Sequence, residues 1–150
     1  MGTMLQIRPR TTIAIAGLFL LGASAASAVD VYLRAAPTSV AGAPGAAMWG
    51  FASCNASFAS CSPVTVPGPR INATAGQPLT IHVKNTLTVP TSVVVPGQSG
   101  GGVGGPVRFM GNRARSFSPE APTSGTTTDY TWSSLKAGTC SPLFTQPRYP

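Results

Sequence analysis

Histidine is almost absent from this chain of 150 residues, which contains a single one, His82. Acidic side chains are also rare, since three of them stand against 10 lysines and arginines. A blue-copper site pairs one cysteine with two histidines, so one imidazole disfavours such a site in this chain. No internal repeat is visible, and no segment has the length and periodicity of a convincing helix.

The charge is formally +7, but the basic residues are scattered along the chain. The one loose cluster, Arg108, Arg113 and Arg115, lies in a glycine-rich segment. Nucleic-acid binding calls for a denser basic patch with stacking aromatic side chains, so no nucleic-acid partner is expected. With 17 glycines and 15 prolines, and with charged residues at only 9%, the composition fits an exported β-sandwich.

The N-terminal segment has the features of a secretory signal peptide. Arg8 and Arg10 precede the apolar run at residues 13–21, and the letters ASA at residues 26–28 form a cleavage signal. The alternative, a membrane anchor, is disfavoured because the run is too short to span a bilayer comfortably. The sequence therefore predicts a signal peptide at residues 1–28 and export from a bacterial cell, to the periplasm or beyond. No membrane attachment is expected after cleavage.

The stretch at residues 67–98 organises the rest of the chain. A Pro-Gly-Pro turn opens it, and a second turn at residues 75–78 precedes an alternating segment at residues 79–84. After a polar break comes an apolar run at residues 93–95, which ends on another Pro-Gly. Two short strands between glycine and proline turns predict the middle of an antiparallel β-sandwich. Further along the chain, residues 113–125 are polar, contain two prolines and are predicted to be a linker.

Alternation in the first of these strands separates two faces. One face carries the apolar side chains of Leu79, Ile81 and Val83. The other face carries the polar side chains of Thr80, His82 and Lys84. The expected neighbours of His82 are therefore threonine and lysine, neither of which is a copper ligand. The pattern predicts a structural or neutral role for His82, with metal binding as the weaker alternative.

The three cysteines are Cys54, Cys61 and Cys140. In an oxidising compartment Cys54 and Cys61 could close a short loop by a disulfide, although spacing alone does not decide this. Cys140 then has no cysteine with which to pair. The alternative is that Cys140 binds copper as a thiolate.

The order of these features resembles the N-terminal, plastocyanin-like cupredoxin domain of multicopper oxidases. The matching elements are the Pro-Gly-Pro turn, the glycine turn, the strand ending in Asn85 and the Pro-Thr-Ser that follows. The letters MWGF at residues 48–51 and YTW at residues 130–132 match further segments. The resemblance covers residues 29–139. It implies a cupredoxin-like Greek-key β-sandwich, a copper cofactor, an oxidoreductase context and further cupredoxin domains as partners.

The copper-ligand segments of that family are missing here. The family places His-Trp-His-Gly after the Pro-Thr-Ser and His-Ser-His after a Gly-Thr. In this chain residues 91–97 read TSVVVPG, which resembles an apolar variant in some bacterial members, and residues 138–143 read GTCSPL. Because neither segment has a histidine, the ligands of the implied copper are not found in this chain. Catalysis by this chain alone is not expected.

Residues 140–150, CSPLFTQPRYP, form a tail that does not match the family pattern. Its three prolines remove donors from a strand ladder, so the tail is not expected to supply a closing strand. The sequence thus predicts a sandwich that is incomplete at its C-terminus and poorly soluble. A truncated or frame-shifted gene is the hypothesis that explains it.

Two alternatives from other functional classes remain. One is an exported β-sandwich that docks onto a partner and holds no metal. The other is a copper carrier using soft or nitrogen ligands that are widely separated in the sequence, namely Met48, His82, Met110 and Cys140.

Overall fold

The computed structural model describes residues 27–39, 47–102, 106–108, 113–123, 125–138 and 143–145. These residues form an all-β structure without a helix. Its strands are β1 (Val29–Ser39), β2 (Ala47–Cys54), β3 (Leu79–Asn85), β4 (Ser92–Val94), β5 (Val107–Arg108), β6 (Ala114–Ser116), β7 (Thr127–Trp132) and β8 (Leu143–Thr145).

The main sheet has four strands in the order β2-β1-β3-β7. Strand β1 is antiparallel to β2 but parallel to β3, and β3 is antiparallel to β7. Because β1 lies between β2 and β3 in the sheet, the segment at residues 55–78 must cross β1 to reach β3. The chain leaves this sheet again after β3 and returns only at β7. In between it forms β4 and the small pair β5-β6, and after β7 it adds β8, which pairs with β4.

One face of the main sheet is the core, and the alternation predicted for β3 is confirmed. Leu79, Ile81 and Val83 are buried, whereas the residues between them are partly exposed. Tyr130 and Trp132, from β7, are the largest fully buried side chains. The remaining core members come from β1, β2, β4 and the loops, namely Leu33, Ala35, Phe51, Leu87, Val89, Val93 and Ala121. Burial of these apolar surfaces is the main stabilising term of the fold.

Asn85 ends β3 as a fully buried polar residue. Its Nδ2 donates to the carbonyl oxygens of Val89, at 2.9 Å, and Ala121, at 3.0 Å. Its Oδ1 accepts from the backbone N–H of Leu87 at 2.9 Å. The amide therefore supplies partners that the buried turn after β3 needs, because unpaired backbone groups are costly away from water.

Gly50 lies where another segment crosses β2 closely. Phe51 and Thr65 exchange backbone hydrogen bonds of 3.3 and 3.1 Å beside it. A Cβ atom on Gly50 would lie 2.4 Å from the carbonyl oxygen of Thr65, which is too close for any side chain. The crossing segment therefore requires glycine in the MWGF letters at this point.

Cys54 and Cys61 form a disulfide at the end of β2, with their Cα atoms 4.0 Å apart. The loop that they close is organised by Asn55, whose Oδ1 accepts from the backbone N–H groups of Ala59 and Ser60. The bridge thus fixes the start of the crossing segment to the edge of the main sheet.

Replacing both bridged cysteines, Cys54→Ser with Cys61→Ser, should lower the free energy of unfolding by about 2 to 3 kcal/mol in the chain-entropy picture, because the unfolded chain regains the conformational freedom that the closed loop removes. Urea denaturation measures the difference. A reducing agent should destabilise the wild type by a similar amount and leave the double variant unchanged. Equal stabilities of both proteins under oxidising conditions would contradict the prediction.

Two sequence expectations about strands were wrong. Residues 113–125 were expected to be a polar linker, yet they contain β6. The proline-rich tail was expected to contribute no strand, yet β8 pairs with β4, with Val93 opposite Phe144 in register. Prolines prevent a long ladder, but the three residues of β8 contain none and suffice for a short antiparallel pair.

The predicted signal peptide lies outside the described residues, apart from residues 27 and 28. Among the residues that are described, no helix is long and apolar enough to cross a membrane.

Candidate functional site

The face of the main sheet opposite the core carries most of the ionisable side chains of its strands. Strand pairing places Tyr32, His82 and Asp129 side by side on β1, β3 and β7. Asp30 lies two residues before Tyr32 on the same face. These four side chains, Asp30, Tyr32, His82 and Asp129, are called the His82 cluster below.

Both ring nitrogens of His82 face a carboxylate. Nδ1 lies 2.7 Å from Oδ1 of Asp129, a strong hydrogen-bond distance that places the ring proton on Nδ1. Nε2 lies 3.4 Å from Oδ1 of Asp30, which is long for a hydrogen bond. The His82 side chain is only 19% exposed, while the two carboxylates are more than half exposed. A partly buried imidazole thus sits between two solvent-facing acids.

Aromatic contacts fix the plane of this imidazole. The Tyr32 ring stacks on it with a centroid separation of 4.5 Å and an interplanar angle of 13°. Phe58, from the disulfide-closed loop, meets the Tyr32 ring edge-on at 5.7 Å. The Lys84 ammonium lies 5.7 Å from the Phe58 ring centroid, a cation–π contact. With stacking on its face and Asp129 on Nδ1, the ring is held with Nε2 directed toward Asp30.

The prediction that threonine and lysine are the neighbours of His82 was therefore wrong. It considered only the strand that carries His82, whereas the residues that face the ring nitrogens come from the flanking strands. Asp30 and Asp129 were missed because the pairing of β1 with β3 and of β3 with β7 is not readable from local alternation. The sequence did offer one signal, since acidic residues are rare in this chain and two of its three, Asp30 and Asp129, lie at this site.

The segment that matches the first copper-ligand segment of the resembled family lies at β4. Here Ser92 and Val93 are buried in the core. The Ser92 hydroxyl lies 2.7 Å from that of Ser116, and the Ser118 hydroxyl donates to the Val93 carbonyl at 2.9 Å. Serine hydroxyl groups and valine side chains occupy this segment, and none of them is a sulfur or imidazole ligand. The residues of this segment do not fit a copper ion.

The other proposed ligands are not brought together in the part of the chain that the structure describes. Met110 and Cys140 lie outside the described residues, as do the other residues of the second ligand segment at positions 139–142. Met48 lies on β2 and is 40% exposed. Within the described ranges, no group of three or more histidine, cysteine or acidic side chains is arranged to hold a metal ion.

Tyr130 carries a buried hydroxyl group beneath the same sheet. The hydroxyl donates to the carbonyl oxygen of Pro119 at 2.7 Å. Burial raises the pKa of Tyr130 from 10.0 to about 12, because the phenolate would lose its hydration. Since no reacting group faces this hydroxyl in the described structure, its role is to hold the segment before Ala121 against β7.

The loss of folding stability at alkaline pH should depend in part on ionisation of the Tyr130 hydroxyl. Its pKa is raised in the folded state, so its contribution to stability is complete below pH 10 and is lost as the pH rises toward 12. Tyr130→Phe should remove that part of the alkaline loss, while costing about 1 kcal/mol at neutral pH for the hydrogen bond. Urea denaturation across this pH range measures both effects. A Tyr130→Phe variant that keeps the full loss of stability at alkaline pH would contradict the prediction.

A cleft of about 610 Å³ lies between the core face of the sheet and the crossing segment at residues 67–75. Its walls are apolar and include Leu33, Ile81 and Val93, while Arg70 and Lys136 also line it.

The sequence matches no protein-family model, and no curated protein matches it.

Proposed function

We propose that this chain is a cupredoxin-like domain of a multicopper-oxidase-type protein, with a structural role. In this proposal the domain has a Greek-key sandwich fold, and copper and oxygen chemistry reside in further cupredoxin domains. The family's electron path runs from the substrate through a copper bound by cysteine and histidine to a copper cluster that reduces oxygen. This chain contributes the scaffold against which such domains pack.

The single observation that carries the proposal is the course of the chain through the main sheet. A Greek-key sandwich requires the chain to leave one sheet, form strands elsewhere and return beside an earlier strand. The chain leaves the main sheet after β3 and returns to it at β7, beside β3, and this return supports the proposal. The Pro-Gly-Pro turn lies in the crossover to β3, and the resembling strand ends at Asn85, the organiser of the exit turn.

The serine network at β4 supports the structural role. A copper-ligand segment must present lone pairs to a cavity, whereas Ser92 and Val93 are turned into the core and are satisfied there. The chain also contains a single histidine, and each paired-histidine segment needs two. The copper chemistry of a complete oxidase therefore has to be supplied by other domains.

The test has a genetic and a biochemical arm. The DNA next to the coding sequence, read in all frames, should encode His-x-His segments of further cupredoxin domains. Those domains, produced together with this chain, should co-purify with it and consume oxygen in the presence of copper and a reducing substrate. The chain alone should stay without intense blue colour after copper addition. A blue, oxygen-consuming isolated chain, or flanking DNA without such segments, would overturn the proposal.

A further inference from the structure

We infer that the His82 cluster is a binding site for a divalent transition-metal ion, held by Nε2 of His82 and the carboxylate of Asp30. Water completes its coordination, and Asp129 supports the histidine from the opposite side. The site lies on the face of the main sheet opposite the core, and its residues belong to neither of the segments that resemble copper-ligand segments in the sequence. The inference does not rest on the proposed function.

The spacing of the two ligand atoms is the first argument. Nε2 of His82 and Oδ1 of Asp30 are 3.4 Å apart, which is too long for a good hydrogen bond. An ion bound at about 2.1 Å from each atom with a tetrahedral angle separates the two atoms by roughly 3.4 Å. The pair is therefore already spaced for a shared ion.

The protonation pattern is the second argument. The 2.7 Å contact with Asp129 places the ring proton on Nδ1, so a neutral imidazole turns the lone pair of Nε2 toward Asp30. Two acceptors then face each other across 3.4 Å. A cation between them converts this unfavourable arrangement into two coordinate bonds.

Asp129 supplies the third argument. Histidines that bind metals usually donate their second ring N–H to a carboxylate, which fixes the tautomer and makes the coordinating nitrogen more basic. Asp129, His82 and Asp30 form this carboxylate–histidine–ligand series across three adjacent strands. The stacked ring of Tyr32 fixes the remaining rotation of the imidazole. The orientation is thus built by the sheet before any ion arrives.

The carboxylates of Asp30 and Asp129 are more than half exposed, so water can reach an ion bound beside them from the solvent. An imidazole with carboxylate and water oxygens suits zinc or copper(II). Two protein ligands make a weaker site than the four of a structural zinc centre, so binding should be reversible.

The single histidine of the chain allows a direct test by nuclear magnetic resonance. With nitrogen-15-labelled histidine, one imidazole reports the site. The samples carry Cys140→Ser, so that this thiol cannot bind the metal. Addition of Zn²⁺ should shift Nε2 strongly and saturably, with one ion per chain, while Nδ1 keeps its proton.

Variants separate the roles of the ligands. Asp129→Asn should weaken zinc binding about 10-fold, as expected for a supporting carboxylate. Asp30→Asn should weaken it further, and His82→Gln should abolish binding in calorimetry. Thr131→Val, on the same face but away from the ring nitrogens, is the matched control and should bind like its parent. Circular dichroism checks that each variant is folded.

Three results would overturn the inference. The first is an unshifted imidazole at millimolar zinc, and the second is coordination through Nδ1. The third is an Asp30→Asn variant that binds zinc as tightly as Thr131→Val. None of these results bears on the flanking DNA or on oxygen consumption, so the proposed function would stand or fall separately.

Discussion

Asn85→Ala should lower the free energy of unfolding by about 3 kcal/mol or more, measured by urea denaturation at neutral pH. The substitution removes a side chain that is fully buried and makes three hydrogen bonds. It leaves the carbonyl oxygens of Val89 and Ala121 and the N–H of Leu87 without this partner. Each buried group left unsatisfied costs about 1 to 3 kcal/mol.

Two further variants separate hydrogen bonding from side-chain volume. Asn85→Leu restores the volume but no hydrogen bond, so it should be destabilised nearly as much as Asn85→Ala. Asn85→Asp keeps the acceptor for Leu87 but turns a carboxylate oxygen toward two carbonyl groups, so it should be destabilised too. Asn72→Ala, at an exposed asparagine, is the control and should change stability by less than about 0.5 kcal/mol. A small loss in Asn85→Ala would show that water replaces the amide.

The importance of Asn85 also shows what local sequence patterns can and cannot predict. Alternation from Leu79 to Lys84 predicted β3 and its two faces correctly, because a strand with one buried face has a period of two. The asparagine at its end was recognised only as part of a resemblance. Its role depends on Val89 and on Ala121, which lies 36 residues away in sequence. No local pattern predicts such a contact.

The same limit applies to the His82 cluster. The face of β3 that carries His82 was predicted, but the two carboxylates beside its ring come from β1 and β7, 52 and 47 residues away. Strand order and register decide which side chains meet, and both depend on the whole sheet. The absence of a histidine pair, in contrast, is read directly from the sequence, because the chain contains a single histidine.

The two short strands β6 and β8 were also not predicted from the sequence. Strands β6 and β8 have three residues each, and their sequences resemble loops. Such strands are stabilised by tertiary pairing and carry almost no propensity signal of their own, so segments with nearby prolines were assigned as linker and tail. The larger strands, with their buried Ile81, Val83, Tyr130 and Trp132, were predictable because apolar periodicity is strongest where burial is deepest.

Trp132→Ala should cost about 3 to 5 kcal/mol, because it empties the largest fully buried side chain of the core. Two glycines of the loop that follows β4, Gly100 and Gly101, cover this ring. A Cβ atom on Gly101 would lie 2.7 Å from the Trp132 ring, and Gly101 donates its N–H to the Thr131 carbonyl at 3.1 Å. Loss of the indole therefore removes both the core filling and the surface on which that loop packs.

Far-UV circular dichroism during urea denaturation is the suitable measurement, because the substitution removes one of the two tryptophans that fluorescence would use. Trp49→Ala is the matched control, since Trp49 is only partly buried against the same core and should cost clearly less. Trp132→Phe should fall between the wild type and Trp132→Ala, since a phenyl ring fills part of the space. Equal losses in Trp49→Ala and Trp132→Ala would contradict a core centred on β7, and would place the stabilising contacts nearer to β2.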